Sequence, residues 1–93
     1  MPDSLLRSYE LDPGVALRDE PFGALAYHFG TRRLTFLKSR DLVALVRALA
    51  GSTDLAAALH RAGVPETSWA AYATAVESLA DSGMLRERAV VAP

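Results

Sequence analysis

At Ser39 the apolar pattern of this chain changes period. Ahead of it, Gly23 to Lys38 (GALAYHFGTRRLTFLK) reads as two alternating runs about a central Gly-Thr. Behind it, Leu42, Leu45, Val46 and Leu49 recur at i, i+3, i+4 and i+7. Period 2 belongs to strands and period 3.6 to helices. A chain that switches once from the first to the second is neither all-α nor all-β, and its strands come before its helices.

The strand half centres on a hairpin. Gly30-Thr31 suits a two-residue type II′ turn, which wants glycine first. That turn would set Phe29 opposite Arg32, Tyr27 opposite Leu34 and Leu25 opposite Phe36. The last two pairs place large apolar groups on one face, as cross-strand packing favours. The other face would carry Ala26, His28, Arg33, Thr35 and Leu37, a mixed surface. Upstream, Asp12-Pro13-Gly14 is a turn signal. Val15 to Arg18 makes a short strand, ended by Asp19-Glu20-Pro21, because proline cannot donate to a ladder. Residues 1–12 show too little periodicity to predict an element.

Three helices follow. Ser39 can cap the first, which ends at Gly51. Ser52 or Thr53 can cap a shorter second helix with Leu55, Ala58, Leu59 and Ala62 as its stripe and Gly63 as its stop. The third begins at Pro65 in a first turn, or at a Thr67 or Ser68 cap. It runs to Ser82, with Gly83 as a left-handed end. Trp69, Tyr72, Ala73, Val76, Leu79 and Ala80 form its apolar side. Met84 to Pro93 read as an exit segment and tail. The expectation is an α+β, winged-helix-like domain, a three-stranded antiparallel sheet followed by three helices (βββααα). All 93 residues form one domain, with residues 1–12 and 86–93 as its flexible ends.

Composition removes several function classes. There is no cysteine, so no disulfide and no thiolate metal site. His28 and His60 lie far apart with no second ligand at helical or strand spacing. The serines Ser39, Ser52 and Ser68 stand at caps, and no nucleophile elbow or glycine-rich phosphate loop occurs. Asp19 and Glu20 would point to opposite faces of a strand, not converge as an acid/base pair. The residues therefore assign no catalytic set, no metal and no cofactor. No run reaches the ~18 apolar residues a membrane span needs. The opening MPDSLLRSYELDPG is too polar for a secretory signal, so the expected place is the cytoplasm.

Binding remains. A helix-turn-helix order invites a winged-helix DNA-binding regulator as the alternative reading. The third helix, however, has no Lys, Arg, Asn or Gln and carries Glu66, Glu77 and Asp81 on its span, and the chain's net charge is −1. A duplex would repel that helix. Peptide binding fits better. The last strand of the hairpin leaves alternate N–H and C=O groups unpaired, and an extended peptide can add there. Trp69, Tyr72 and Val76 could wall the other side of a groove, and Arg32, Arg33 and Lys38 could attract an acidic peptide. The plainer reading treats these aromatics as core and the arginines as solvated edge guards. Leu37→Pro is expected to remove an outward donor of that strand. A second copy pairing at the same edge would give a homodimer, and a subunit that docks on an enzyme without touching a peptide would share the same sequence features.

The run YELDPGVALRDEPFGALAYHFGTRRLTFLKSRDLVALV, residues 9–46, resembles the mycofactocin biosynthesis chaperone family, part of the PqqD-like group of RiPP recognition elements. The match is tightest over Val15–Ser39, and AGVPETSWAAYATAVESLADSGML, Ala62 to Leu85, resembles the family's closing helix. The resemblance implies a sheet followed by three helices. It implies binding of the mycofactocin precursor peptide and its presentation to a radical S-adenosylmethionine maturase, which would hold the iron–sulfur chemistry itself. Carried over by position, the peptide would pair with Arg33, Leu34, Thr35, Phe36, Leu37 and Lys38. It would pack against Trp69, Tyr72, Ala73 and Val76.

Overall fold

The computed structural model describes residues 3–88. Its strands are β1 (Tyr9–Leu11), β2 (Val15–Glu20), β3 (Gly23–His28) and β4 (Leu34–Leu37), followed by α1 (Arg40–Ala48), α2 (Leu55–Arg61), α3 (Trp69–Asp81) and β5 (Leu85–Glu87). The main sheet is antiparallel in the order β2-β3-β4, and the three helices come after it. This is the α+β, winged-helix-like order the sequence predicts.

The register of the β3–β4 hairpin is as expected: Tyr27 pairs with Leu34 and Leu25 with Phe36. The turn is not. His28 and Arg33 form the closing pair, with the His28 N–H donating to the Arg33 carbonyl (2.9 Å) and the Arg32 N–H to the His28 carbonyl (2.7 Å). Phe29 to Arg32 thus form the loop, and Phe29 does not pair with Arg32. The left-handed residue is Arg32, at φ 60°, instead of Gly30. The His28 ring explains why the longer loop holds. Its Nδ1 accepts from the N–H groups of Gly30 (3.0 Å) and Thr31 (3.1 Å). Its proton is therefore on Nε2, which lies 3.1 Å from the Asp12 carboxylate.

The two faces of the hairpin hold the residues the sequence sorts onto them, but the face read as a mixed surface is the one that turns inward. Ala24, Ala26 and Leu37 are buried beneath the helices, whereas Leu34 and Phe36 are 53% and 57% exposed. The small side chains decide this. Two alanines on the inner side let helix α1 lie close to the sheet, with Leu45 and Val46 of α1 fully buried in the shared core. Had the large residues faced inward, the layers would stand further apart and leave voids.

The helices start and stop on specific polar groups. Ser39 Oγ accepts from the Leu42 N–H (3.2 Å) at the head of α1. Helix α1 passes into a 3-10 turn, Leu49–Gly51. The cap of α2 is Asp54, whose carboxylate accepts from the Ala57 N–H (2.8 Å), in place of Ser52 or Thr53. Ser52 is buried, and its hydroxyl donates back to the Ala48 carbonyl (2.7 Å). A 3-10 turn, Glu66–Ser68, leads into α3, and Gly63 and Gly83 end α2 and α3 with positive φ.

Residues 3–11 form part of the domain. Asp3–Leu6 make a 3-10 turn, and Tyr9–Leu11 pair antiparallel with Leu85–Glu87. Leu5 and Tyr9 enter the core beside Met84 and Leu85. The pairing of Glu10 with Arg86 doubles as an ion pair at 3.0 Å. Further backbone bonds run from Asp12 N–H to the Met84 carbonyl (3.0 Å) and from Leu55 N–H to the Arg7 carbonyl (2.9 Å). The ends of the described chain are thus stitched to each other and to α2. Residues 1–2 and 89–93, part of the expected flexible ends, lie outside the described residues.

Candidate functional site

Strand β4 is an edge: β3 lies on one side, and among the described residues no strand lies on the other. In an antiparallel ladder, hydrogen-bonded and non-bonded pairs alternate. His28–Arg33 is a bonded pair, so Thr35 and Leu37 also turn their backbone groups toward β3. The N–H and C=O of Leu34 and Phe36 therefore point outward. Gly23 gives an independent check. A Cβ there would lie 2.0 Å from the Leu37 carbonyl oxygen, so that oxygen faces β3. Leu37 is not the outward donor that the Leu37→Pro expectation needs.

The edge offers two N–H and two C=O groups in a row, bounded by cations. Arg32 and Arg33 stand at one end, Lys38 and Arg40 at the other, all exposed. None of the four has an ion-pair partner among the described residues. By contrast Arg7, Arg18, Arg47 and Arg86 each lie against a carboxylate. An unpaired positive fringe around unpaired backbone groups suits an extended, acidic chain.

The four helix residues of the sequence expectation divide in two. Ala73 and Val76 have no exposed surface; they pack into the core and support α3 from beneath. Trp69 and Tyr72 are half-buried and keep part of their rings open. The Trp69 ring is fixed by its indole N–H, which donates to the Val64 carbonyl at 2.8 Å and so ties the α2–α3 connection to the first turn of α3.

A cleft of about 730 Å³ opens elsewhere, lined by the N-terminal turn, β1, β5 and the end of α3, and includes Ser4, Tyr9, Glu77, Asp81 and Arg86. No β4 residue lines it. Ser4 Oγ donates to Glu77 at 2.6 Å, and burial raises the Tyr9 phenol above its usual range, opposed by Arg7 and aided by Glu87 and Glu77. At the opposite end of β1, the Asp12 carboxyl is held below the usual carboxylate range, first by the Gly14 N–H (2.9 Å) and also by His28. Among the described residues, no three His, Asp or Glu converge as a metal set.

Sequence reasoning identified the edge strand and missed two features. One is the His28–Asp12 node, whose Asp12 was legible only as part of a turn. The other is the aromatic content of the sheet's outer face, signalled by the placing of all three phenylalanines between residues 22 and 36.

A three-stranded sheet with an open, cation-fringed edge, backed by three helices, defines a small winged-helix-like α+β domain. Residues 8–86 match the model of the peptide chaperone MftB family, and the chain belongs to that family. It is similar to proteins named peptide chaperone MftB from three mycobacteria. The Mycobacterium ulcerans (strain Agy99) protein is 51% identical over 79 residues, covering 85% of this chain and 72% of that protein. The Mycobacterium tuberculosis (strain ATCC 25618 / H37Rv) protein is 49% identical over 82 residues, covering 88% and 75%. The Mycolicibacterium smegmatis (strain ATCC 700084 / mc(2)155) protein is 50% identical over 78 residues, covering 84% and 76%. No solved structure matches the chain significantly. Membership of this family supports a peptide chaperone role.

Proposed function

We propose that this chain is a non-catalytic chaperone that takes the mycofactocin precursor peptide as an added strand along Arg33–Lys38 and presents it to a radical S-adenosylmethionine maturase in the cytoplasm. The observation that carries the reading is the open edge of β4, with the backbone groups of Leu34 and Phe36 turned outward. Trp69 and Tyr72 of α3 supply the helix-side wall, and Ala73 and Val76 hold that wall in place from within. Among the described residues no helix is long and apolar enough to cross a membrane.

Four backbone hydrogen bonds at ~0.5–1.5 kcal/mol net each give roughly 2–6 kcal/mol. Ordering a free peptide costs about 2–5 kcal/mol or more. The two nearly cancel, so side-chain burial sets the affinity and the selectivity. The test is isothermal titration of the chain with the cognate precursor peptide and a scrambled control. Saturable one-to-one binding of the cognate peptide alone is the expected result. No heat and no change in Trp69 fluorescence, with or without the maturase, overturns the reading. A second copy pairing at the same edge would compete with the peptide, and a molar-mass measurement on the free chain reports it.

A further inference from the structure

All three phenylalanines of the chain, Phe22, Phe29 and Phe36, are exposed, while the core is built from Leu, Val, Ala, Tyr and Met. They are not scattered. The Phe22 ring meets Phe36 edge-on with centroids 5.7 Å apart, and Phe29 meets Tyr27 at 5.0 Å. Leu25 and Leu34 lie between these pairs, because Leu25 is opposite Phe36 and Tyr27 opposite Leu34. The result is one apolar stripe along the whole β3–β4 hairpin, on the face turned away from the helices. On β2 the same face carries no large apolar side chain: Ala16 and Arg18 stand beside Tyr27 and Leu25, and Arg18 pairs with Glu20. The stripe therefore borders the open edge. Exposed aromatic stripes of this kind mark contact surfaces.

Ladder geometry says what covers it. Residues directly opposite each other in an antiparallel pair share a face. The outward backbone groups belong to Leu34 and Phe36, whose side chains are on the outer face. An antiparallel guest strand therefore hydrogen-bonds through the two residues whose side chains lie beside Leu34 and Phe36. The guest residue between them, opposite Thr35, is the one that turns toward the helices. We infer that the outer face of the sheet is a specificity surface: the guest strand carries apolar side chains at alternate positions facing away from the helices, and carboxylates at its ends. This rests on the strand-addition reading above and deepens it. The four unpaired cations around the edge favour an acidic guest and oppose a second copy, which would bring a like-charged fringe against them.

The experiment uses the full chain labelled with 4-fluorophenylalanine, whose three fluorine signals all report this face, together with Trp69 fluorescence. The probes are the synthetic precursor peptide and the same peptide with its carboxylates replaced by amides. The expected result is a shift of the Phe36 and Phe22 signals on binding, with at least ten-fold weaker binding by the folded Leu34→Thr/Phe36→Thr double variant and by the amide peptide. If wild-type chain binds peptide but the fluorine signals do not move, or the double variant or the amide peptide binds within two-fold, the inference falls and strand addition stands. If the wild-type chain binds no peptide by either readout, both fall.

Discussion

The carbonyl oxygen of Leu37 points straight at Gly23, so closely that a Cβ on Gly23 would lie 2.0 Å from it. Gly23 also holds φ +151°, a conformation that side chains rarely adopt. Both facts oppose any other residue. Gly23→Ala is expected to cost about 2–4 kcal/mol through backbone displacement and strain, measured as a drop in the denaturant midpoint. A variant within 0.5 kcal/mol of wild type would mean that β3 and β4 can separate without loss.

The same geometry separates two neighbouring proline substitutions. Phe36 turns its N–H outward and its ring into solvent, and proline is tolerated at an edge position whose N–H bonds to nothing in the sheet. Phe36→Pro should leave circular dichroism close to wild type and weaken precursor binding at least ten-fold. Leu37 turns its N–H inward and is 2% exposed. Leu37→Pro removes a ladder bond and a core side chain together, and should unfold the domain. Equal affinity for peptide in folded Phe36→Pro would argue that the guest does not use this edge.

The order and type of the elements were legible because they depend on periodicity, which is a local property. The β3–β4 register was legible even though the turn was misread. A two-residue and a four-residue connection centred on Gly30-Thr31 give the same partners, Tyr27 with Leu34 and Leu25 with Phe36. Which face turns inward was not legible from hydrophobicity, since Ala24 and Ala26 win the interior by being small enough for α1 to approach. Nor was the β1–β5 pairing. Three-residue strands have no measurable period, and Glu10 finds Arg86 across nearly the whole sequence. At the site, the edge strand could be placed from topology, but not which of its backbone groups face outward: the misread turn put Leu37 outward, whereas the His28–Arg33 closing pair turns Leu34 and Phe36 outward. Ala73 and Val76 read as groove wall because a helix stripe does not reveal which of its members stay open.

His28 acts as a clamp for the hairpin loop. Its Nδ1 accepts two backbone N–H groups and its Nε2 faces Asp12. His28→Leu keeps the bulk and removes every one of these acceptors and donors. The expected loss is about 1–2 kcal/mol, with faster hydrogen exchange at the Gly30 and Thr31 amides before exchange rises elsewhere. Unchanged exchange at those two amides would show that the loop holds without the ring.

Tyr9 links burial to pH. Its phenol is raised above the ordinary tyrosine range, chiefly by desolvation, so the folded state resists its ionisation more than the unfolded state does. The sign follows directly. The stability this phenol contributes is fully present below the unfolded value of ~10, and it is lost as pH rises through the higher folded value. The comparison with Tyr9→Phe isolates this phenol, because every other ionisable group is shared by the two chains. Tyr9→Phe should therefore lose less stability than wild type between pH 9 and pH 11 in parallel urea titrations (roughly the tyrosine range), while near pH 7 the two differ only by the phenol's contacts with its cleft. Parallel alkaline slopes for the two chains would mean that ionised Tyr9 finds compensation from Arg7, the cation that already opposes the shift. In that case the cleft beside β1 tolerates a negative charge that its burial alone would forbid.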